Sequence, residues 1–248
     1  MRVADVLAVL EKSYPLSTAC DFDNCGLLVG DGDAEVTGIV VTLDGDEAAL
    51  NAAVENGCNL IVTHHPVIFS GLKTLTADSL CYRLLKNGIS VVSMHTNLDV
   101  GAGGVNDQLC RTVGLSDVEP YVAADGFTLR RGTCSPSTAE EFAAHLKNVL
   151  GGNIRFVDGG KTLRRVLVCS GSGSEFLHEV SAAECDALLT AEVKHHLFLE
   201  AAQMGVSLFE GGHFETETVV VDSLCEKLQR LLPDLPVLAH KQTIIQSL

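Results

Sequence analysis

Apolar positions along the chain fall into alternating blocks. Short runs of β-branched residues are separated by longer stretches with helical spacing. Val3, Val6, Leu7 and Leu10 recur at helical intervals, and Pro15 closes that first helix. Gly38 to Leu43 predicts a strand, Asp46 to Asn56 an Ala-rich helix capped by Gly57, and Leu60–Thr63 a second strand. Leu80 to Lys86 predicts a helix with Gly88 behind it, Ile89 to Met94 a third strand, and Val105 to Val113 a helix closed by Gly114. Strands and helices in that order imply parallel strands joined by right-handed crossovers. Pro120 to Gly132 is turn-rich and is expected to be irregular, a domain boundary. Beyond it, Ser137-Thr138-Ala139-Glu140 has a capping-box pattern and opens a helix to about Leu150. Arg165 to Cys169, Ala187 to Thr190 and Val206 to Phe209 read as strands. Ser174 to Ala183 and Val193 to Met204 read as helices, Glu210 to Glu217 opens a further helix running to about Leu232 with Glu217 in its first turn, and Thr243 to Ile245 reads as an edge strand.

The two halves repeat each other. Ile39 set against Val166 gives an offset of 127 that holds through strand, helix and strand, and places Cys58-Asn59 on Cys185-Asp186 and Leu60–Thr63 on Ala187–Thr190. A second match, at an offset of 118, sets His95-x-x-x-Asp99 against His213-x-x-x-Glu217. The expectation is an α/β protein of two similar, duplicated subdomains, 1–125 and 126–248. Each would have a mostly parallel sheet flanked by helices, and the C-terminal segment could pack back on the first. The symmetry breaks at one place: His64-His65 follows Thr63, whereas Ala191-Glu192 follows Thr190.

Composition narrows the function. A net charge of −15, from 32 acidic and 17 basic residues, repels nucleic acid and anionic membranes, so neither is an expected partner. No apolar run reaches the ~20 residues needed to span a bilayer. Met1 to Glu11 has no signal-peptide pattern, and the nine cysteines include no CxxC pair. They read as small buried apolar groups in a reducing, cytoplasmic compartment.

The strand ends carry the chemistry. Pro66 cannot continue a central ladder, so Leu60–Thr63 should stop at His64 and His65, the carboxyl end where α/β sheets place ligands. Two further strand ends carry His95 with Asp99, and His213 with Glu217. Imidazole and carboxylate without thiolate suit Zn²⁺, Fe²⁺, Mn²⁺ or Co²⁺. Five or six such groups fit two divalent ions per chain, some ~3.5–4 Å apart. The glycine-rich turn Cys169-Ser170-Gly171-Ser172-Gly173-Ser174 matches neither the dinucleotide fingerprint nor the P-loop and reads as a tight strand-to-helix turn. Glu192, His195 and His196 would share one face if they stood on a helix, as substrate contacts or acid/base groups.

Several of these motifs occur together in one family. Thr63-His64-His65-Pro66 followed by Phe69, His95-Thr96-Asn97-Leu98-Asp99, and Gly212-His213-Phe214-x-Thr216-Glu217 resemble the type 2 GTP cyclohydrolase I homologues, the Nif3-like dinuclear-metal proteins. The likeness runs nearly end to end, through Asp23-Asn24-x-Gly26-Leu27-x-Val29-Gly30, Gly104-Val105-Asn106-Asp107 and Gly171-Ser172-Gly173. It implies paired α/β subdomains, a homo-hexameric toroid with metals facing its cavity, and His64, His65, Asp99, His213 and Glu217 as ligands with His95 close by. Two positions depart from the family pattern: Phe22, where Trp is frequent, and Ala191, where Gly is frequent.

The expected function is metal-dependent hydrolysis through a metal-activated water, acting on a small molecule. A GTP cyclohydrolase-type ring opening of a nucleotide is one case, with Glu192 or His95 as proton shuttle. A non-catalytic metal-storage or regulatory scaffold is the alternative. An open coordination position beside an acid/base group would separate the two.

Overall fold

A computed structural model describes residues 1–245. The chain forms two compact units, one of Met1–Ala102 with Val221–Ile244 and one of Gly103–Val220. Both are α/β, as the alternation of blocks predicts.

The first unit is built on β1 (Gly26–Val29), β2 (Ile39–Thr42), β3 (Leu60–Thr63), β4 (Ser90–Ser93) and a strand at Val237–His240, in the order β1-β4-β3-β2-(237–240). All pairings are parallel except that of β1 with β4. Every residue of β2, β3 and β4 is buried, the pattern of strands covered on both faces. Val40, Ile61 and Val91 pack with Ala49, Leu50 and Ala53 of helix α2 (Glu47–Glu55) and with Cys81 and Leu84 of α3 (Leu80–Lys86). Ile39, Val41, Leu60 and Val62, one residue out of phase, serve the opposite face. Asp46 caps α2 by accepting the Ala49 N–H at 2.9 Å, and Gly57 turns out of it at φ +66°. The opening helix α1 is Val3–Glu11.

The second unit carries a six-stranded mixed sheet. Its strands are β5 (Ser116–Val122), β6 (Thr128–Ser137), β7 (Arg155–Val157), β8 (Leu163–Val168), β9 (Ala187–Thr190) and β10 (Ser207–Glu210), ordered β5-β6-β8-β9-β10-β7. Its core has two sides. Val166, Val168, Leu189 and Phe209 meet Leu109, Phe142 and Leu146 on one face. Leu167, Leu188 and Leu208 meet Phe176, Leu177 and Ala201 on the other.

The repeat read from the sequence is present in the hydrogen-bond register. Ile39 pairs with Leu60 in the first sheet, and Val166 with Ala187, each 127 residues on, in the second.

Four local expectations are corrected. Pro120 to Gly132 is not irregular: it spans much of an antiparallel hairpin, β5–β6, whose outer strand is almost wholly exposed and therefore lacks an apolar signature. The helix expected over Ser174 to Ala183 is a short 3₁₀ segment, Ser174–Glu179. Thr243 to Ile245 forms no strand; the fifth strand of the first sheet is Val237–His240, pairing with β2. The capping box sits one residue later than the pattern suggested, with Thr138 as cap and Glu141 returning its carboxylate to the Thr138 N–H at 2.8 Å. Burial pushes the Cys110 thiol up to about 12. Among the described residues no helix is long and apolar enough to cross a membrane.

Candidate metal centre

In the first unit the ends of β3 and β4 bring three imidazoles together. His64 and His65 keep their backbone N–H groups in the ladder, donating to Thr42 O (3.1 Å) and Leu43 O (2.9 Å), and this fixes where their side chains leave the sheet. His95 follows β4 directly. The ring centroids of His64 and His65 are 5.0 Å apart, those of His64 and His95 5.1 Å, and those of His65 and His95 5.7 Å. Each residue offers a ring nitrogen within 4.8 Å of the others.

Every Nδ1 in this cluster has a defined partner. His64 Nδ1 lies 3.0 Å from Met94 O, His65 Nδ1 2.7 Å from Asp44 Oδ1, and His95 Nδ1 2.8 Å from Asp23 Oδ1. A proton on Nδ1 donated to these oxygens fixes the tautomer and turns the Nε2 lone pair to the coordinating side. Asp23 is itself set in place: its other oxygen accepts from the Thr96 N–H (3.0 Å) and the Thr96 hydroxyl (2.5 Å). Burial works to raise the Asp23 pKa. The hydrogen bonds from His95 and Thr96 outweigh it and hold the carboxyl well below the usual carboxylate range.

Asp99 stands on a single helical turn, α4 (Thr96–Val100), with its Oδ1 3.6 Å from His64 Nε2. That turn is anchored by buried Asn97, which donates to Tyr14 O at 2.9 Å. Gly101 packs on the Tyr14 ring, where a Cβ would come within 2.4 Å.

In the second unit β10 leads through Gly211 and Gly212 into a short helix, His213–Glu217. Gly212 takes φ +82°, and an added Cβ would strike the Glu215 carboxylate at 2.3 Å, so the turn requires glycine. His213 Nε2 lies 3.2 Å from Glu217 Oε2, and His213 Nδ1 3.0 Å from Glu192 Oε1. Glu217 is 2% exposed. Its carboxylate lies against Gly171 (φ +62°), where a Cβ would meet Oε1 at 2.7 Å. The Gly171 turn is held from both sides. Thr190 Oγ1 donates to Gly171 O and accepts from the Gly173 N–H, and buried Asn106 accepts the Ser170 N–H at 2.7 Å. Asn106 opens α5 (Val105–Thr112) beside Asp107, which pairs with buried Arg130. The glycine turn flagged in the sequence thus cradles a carboxylate of the chain itself.

Of the sequence candidates, His64, His65, His95 and Asp99 are brought together in the first unit, and His213, Glu217 and Glu192 in the second. His195 and His196 are exposed, and Glu192 lies before the helix that begins at His195, so the three do not share a helical face. Glu192 instead accepts from Ser172 Oγ (2.7 Å) and faces His213. The Ser172 bond lowers its pKa; partial burial opposes this, and His213 adds to the lowering. Asp44 was missed in the sequence because nothing in its spacing distinguishes it from a turn residue. Asp23 stood only in the Asp23–Gly30 motif that carries the family resemblance, and its link to His95 spans 72 residues. The donor set, imidazole nitrogens oriented by acceptors and paired with buried carboxylates, has the chemistry of a site for a divalent metal.

Comparison with known proteins decides the family. Residues 1–245 match the family model described as Duf34/NIF3 (NGG1p interacting factor 3). The chain belongs to the Duf34/NIF3 family. A Clostridium perfringens relative named GTP cyclohydrolase 1 type 2 homolog is 31% identical over 98% of this chain and 97% of its own length. A Staphylococcus aureus relative of the same name is 43% identical over 121 residues, 48% of this chain. Among solved structures, the Staphylococcus aureus hypothetical protein SA1388 superposes with a TM-score of 0.93 at 28% identity, covering 100% of this chain and 99% of that one. Reduced HcgD from Methanocaldococcus jannaschii gives 0.81 at 28% identity, covering 96% and 97%. The Duf34/NIF3 match and these folds agree with the resemblance drawn from the motifs.

Proposed function

We propose that this protein is a metal-dependent hydrolase holding two divalent ions per chain, with His64, His65, Asp99, His213 and Glu217 as ligands. One observation carries the reading: three histidines at strand ends, His65, His95 and His213, each pair through Nδ1 with a carboxylate, Asp44, Asp23 and Glu192. Carboxylate–histidine pairs of this kind fix the ring's orientation, for a metal-binding imidazole at His65 and His213 and for a proton-transferring one at His95. When bound, divalent ions would supply Lewis acidity and bring the pKa of water toward neutrality. His95 moves the proton: its Nδ1 is held by Asp23, and its ring lies beside His64 and His65. Glu192 acts as a positioning group for His213, since a carboxylate with a lowered pKa is a weak base. The name borne by the clostridial and staphylococcal relatives supports a nucleotide substrate opened at a ring carbon, and the family resemblance supports assembly into a homo-hexamer.

A non-catalytic metal store is favoured by one fact: Asp23, Asp44 and Glu192 are all engaged in holding imidazoles. The test is hydrolysis of a nucleotide panel, GTP included, by wild type, His95→Ala and Glu192→Gln at matched metal content. The hydrolase reading expects turnover by wild type, a loss on the order of 10²–10⁴ in His95→Ala, and most activity kept in Glu192→Gln. Metal-replete wild type that turns over no member of the panel would support the store.

A further inference from the structure

Three consecutive residues ahead of β1 meet His95 and the segment that follows His65, each by a different contact. Asp23 holds His95. Asn24 donates from Nδ2 to Ile68 O at 2.5 Å, tying the segment after His65 and Pro66 back to this turn. Phe22 and Phe69, the neighbours of those two anchors, set their rings against each other with centroids 6.4 Å apart and planes at 55°. Phe69 in turn meets the His95 ring edge to face, at 6.1 Å and 87°.

Both phenyl rings nonetheless stand largely in water, Phe22 69% and Phe69 52% exposed. Leaving two large apolar rings unburied forgoes stabilisation that a core would give, and such exposure beside polar groups marks a ligand contact. Their geometry limits the ligand. The two rings are tilted at 55° to each other, and the Asn24–Ile68 bond ties together the segments that carry them. A flat ring resting on the exposed face of either phenyl would stack on it. An aliphatic ligand would gain only burial there.

We infer that Phe22 and Phe69 form a stacking platform for a flat heteroaromatic ring, which they hold beside the His64–His65–His95 cluster. This rests on the hydrolase reading above, since it names the class of molecule delivered to that site. A second copy of the chain covering the same rings, together with exposed Leu72 and Leu75, is the competing occupant.

The experiment uses the protein as purified, its metal content measured. Binding of guanosine 5′-monophosphate and uridine 5′-monophosphate is followed by saturation-transfer NMR and calorimetry, with ribose 5-phosphate as the ring-less control. The platform predicts saturation of base protons and roughly tenfold weaker nucleotide binding in Phe22→Leu and Phe69→Leu. Ribose 5-phosphate binding and metal content should not change, and Phe69→Tyr should restore affinity. Equal affinity for ring-bearing and ring-less ligands overturns the inference. So does unchanged nucleotide binding in the Leu variants, or a change only in their sedimentation, which would assign the rings to a subunit contact. Protein that binds the bases but holds no metal defeats the hydrolase reading and leaves the platform standing. Protein that holds metal but is indifferent to the ring defeats the platform alone.

Discussion

Gly171→Ala separates a ligand's position from its presence. Residue 171 has φ +62°, and an alanine Cβ there would lie 2.7 Å from Glu217 Oε1. The substitution therefore carries two costs. Left-handed backbone at a non-glycine residue costs about 1–2 kcal/mol. The overlap must also be relieved, and Glu217, 2% exposed on a short helix behind Gly212, has little room to yield except by moving its carboxylate toward His213. Gly57→Ala isolates the first cost, because Gly57 has φ +66° and nothing within 4 Å of its would-be Cβ. Both variants should melt a few degrees lower, about 2–4 °C per kcal/mol for a chain of this size. Only Gly171→Ala should lose metal affinity, roughly ten- to a hundredfold, as for displaced groups around a ligand. The assay is elemental analysis after dialysis against a graded chelator, beside thermal melts. If Gly171→Ala keeps wild-type metal content and affinity while its melting point falls with that of Gly57→Ala, then Glu217 is not a ligand.

Further expectations are directly measurable. Elemental analysis of the purified protein should find about two divalent ions per chain. They should leave as pH falls through the imidazole range, because coordination requires unprotonated rings; full retention at roughly pH 5 would count against the assignment. Ile61→Ala, at a fully buried position in β3, should lower stability by about 2–5 kcal/mol in urea unfolding. Thr138→Ala should cost about 1 kcal/mol at neutral pH. Glu141 is held below its ordinary range by the Thr138 N–H, so its part in the cap is complete above that range. It fades as pH falls through the lowered value. The Thr138 hydroxyl also donates to Glu141 (3.1 Å), and of the bonds to that carboxylate the variant lacks only this one, so the gap between wild type and variant should narrow slightly there. Sedimentation should give a closed assembly of six subunits, and monomer alone at micromolar concentration would refute it.

Much of this arrangement was legible because strand and helix periods differ. β3 and β9 were placed to the residue, and α2, α3 and α5 to within a residue or two, since both of their faces or one clear stripe must be apolar. The hairpin β5–β6 was not legible: Ser116–Val122 is an exposed edge whose residues answer to solvent rather than to a core. β7, three residues long and mostly exposed, fails for the same reason. At the centre, the histidines and the acids that follow them four residues later could be read from local spacing. Their orienting partners could not, because Asp23 with His95 and Asp44 with His65 lie 72 and 21 residues apart and meet only when strands pair.

The duplication shows where the two halves were free to diverge. Up to the strand ends the register repeats at an offset of 127, Val41 opposite Val62 in the first sheet and Val168 opposite Leu189 in the second. Just beyond, the repeat slips. His64 N–H bonds to Thr42 O, and its counterpart Ala191 N–H should then bond to Cys169 O; it bonds to Gly171 O instead. Two additional residues of chain are thereby drawn up to the end of β9. That shift brings a glycine against Glu217, where the first half has the shorter Asp99 facing His64. Placing a carboxylate one methylene longer without strain requires room opposite it, and glycine at 171 leaves out a Cβ that would lie 2.7 Å from Oε1. The first half keeps two histidines on its strand end. The second spends the equivalent of His65 on Glu192, which faces His213 Nδ1. Burying Glu217, holding residue 171 at φ +62° and setting a carboxylate against His213 each carry a cost that a bound cation would offset. If the proposed cation site is right, Gly171, rather than any histidine, is the most discriminating residue to change.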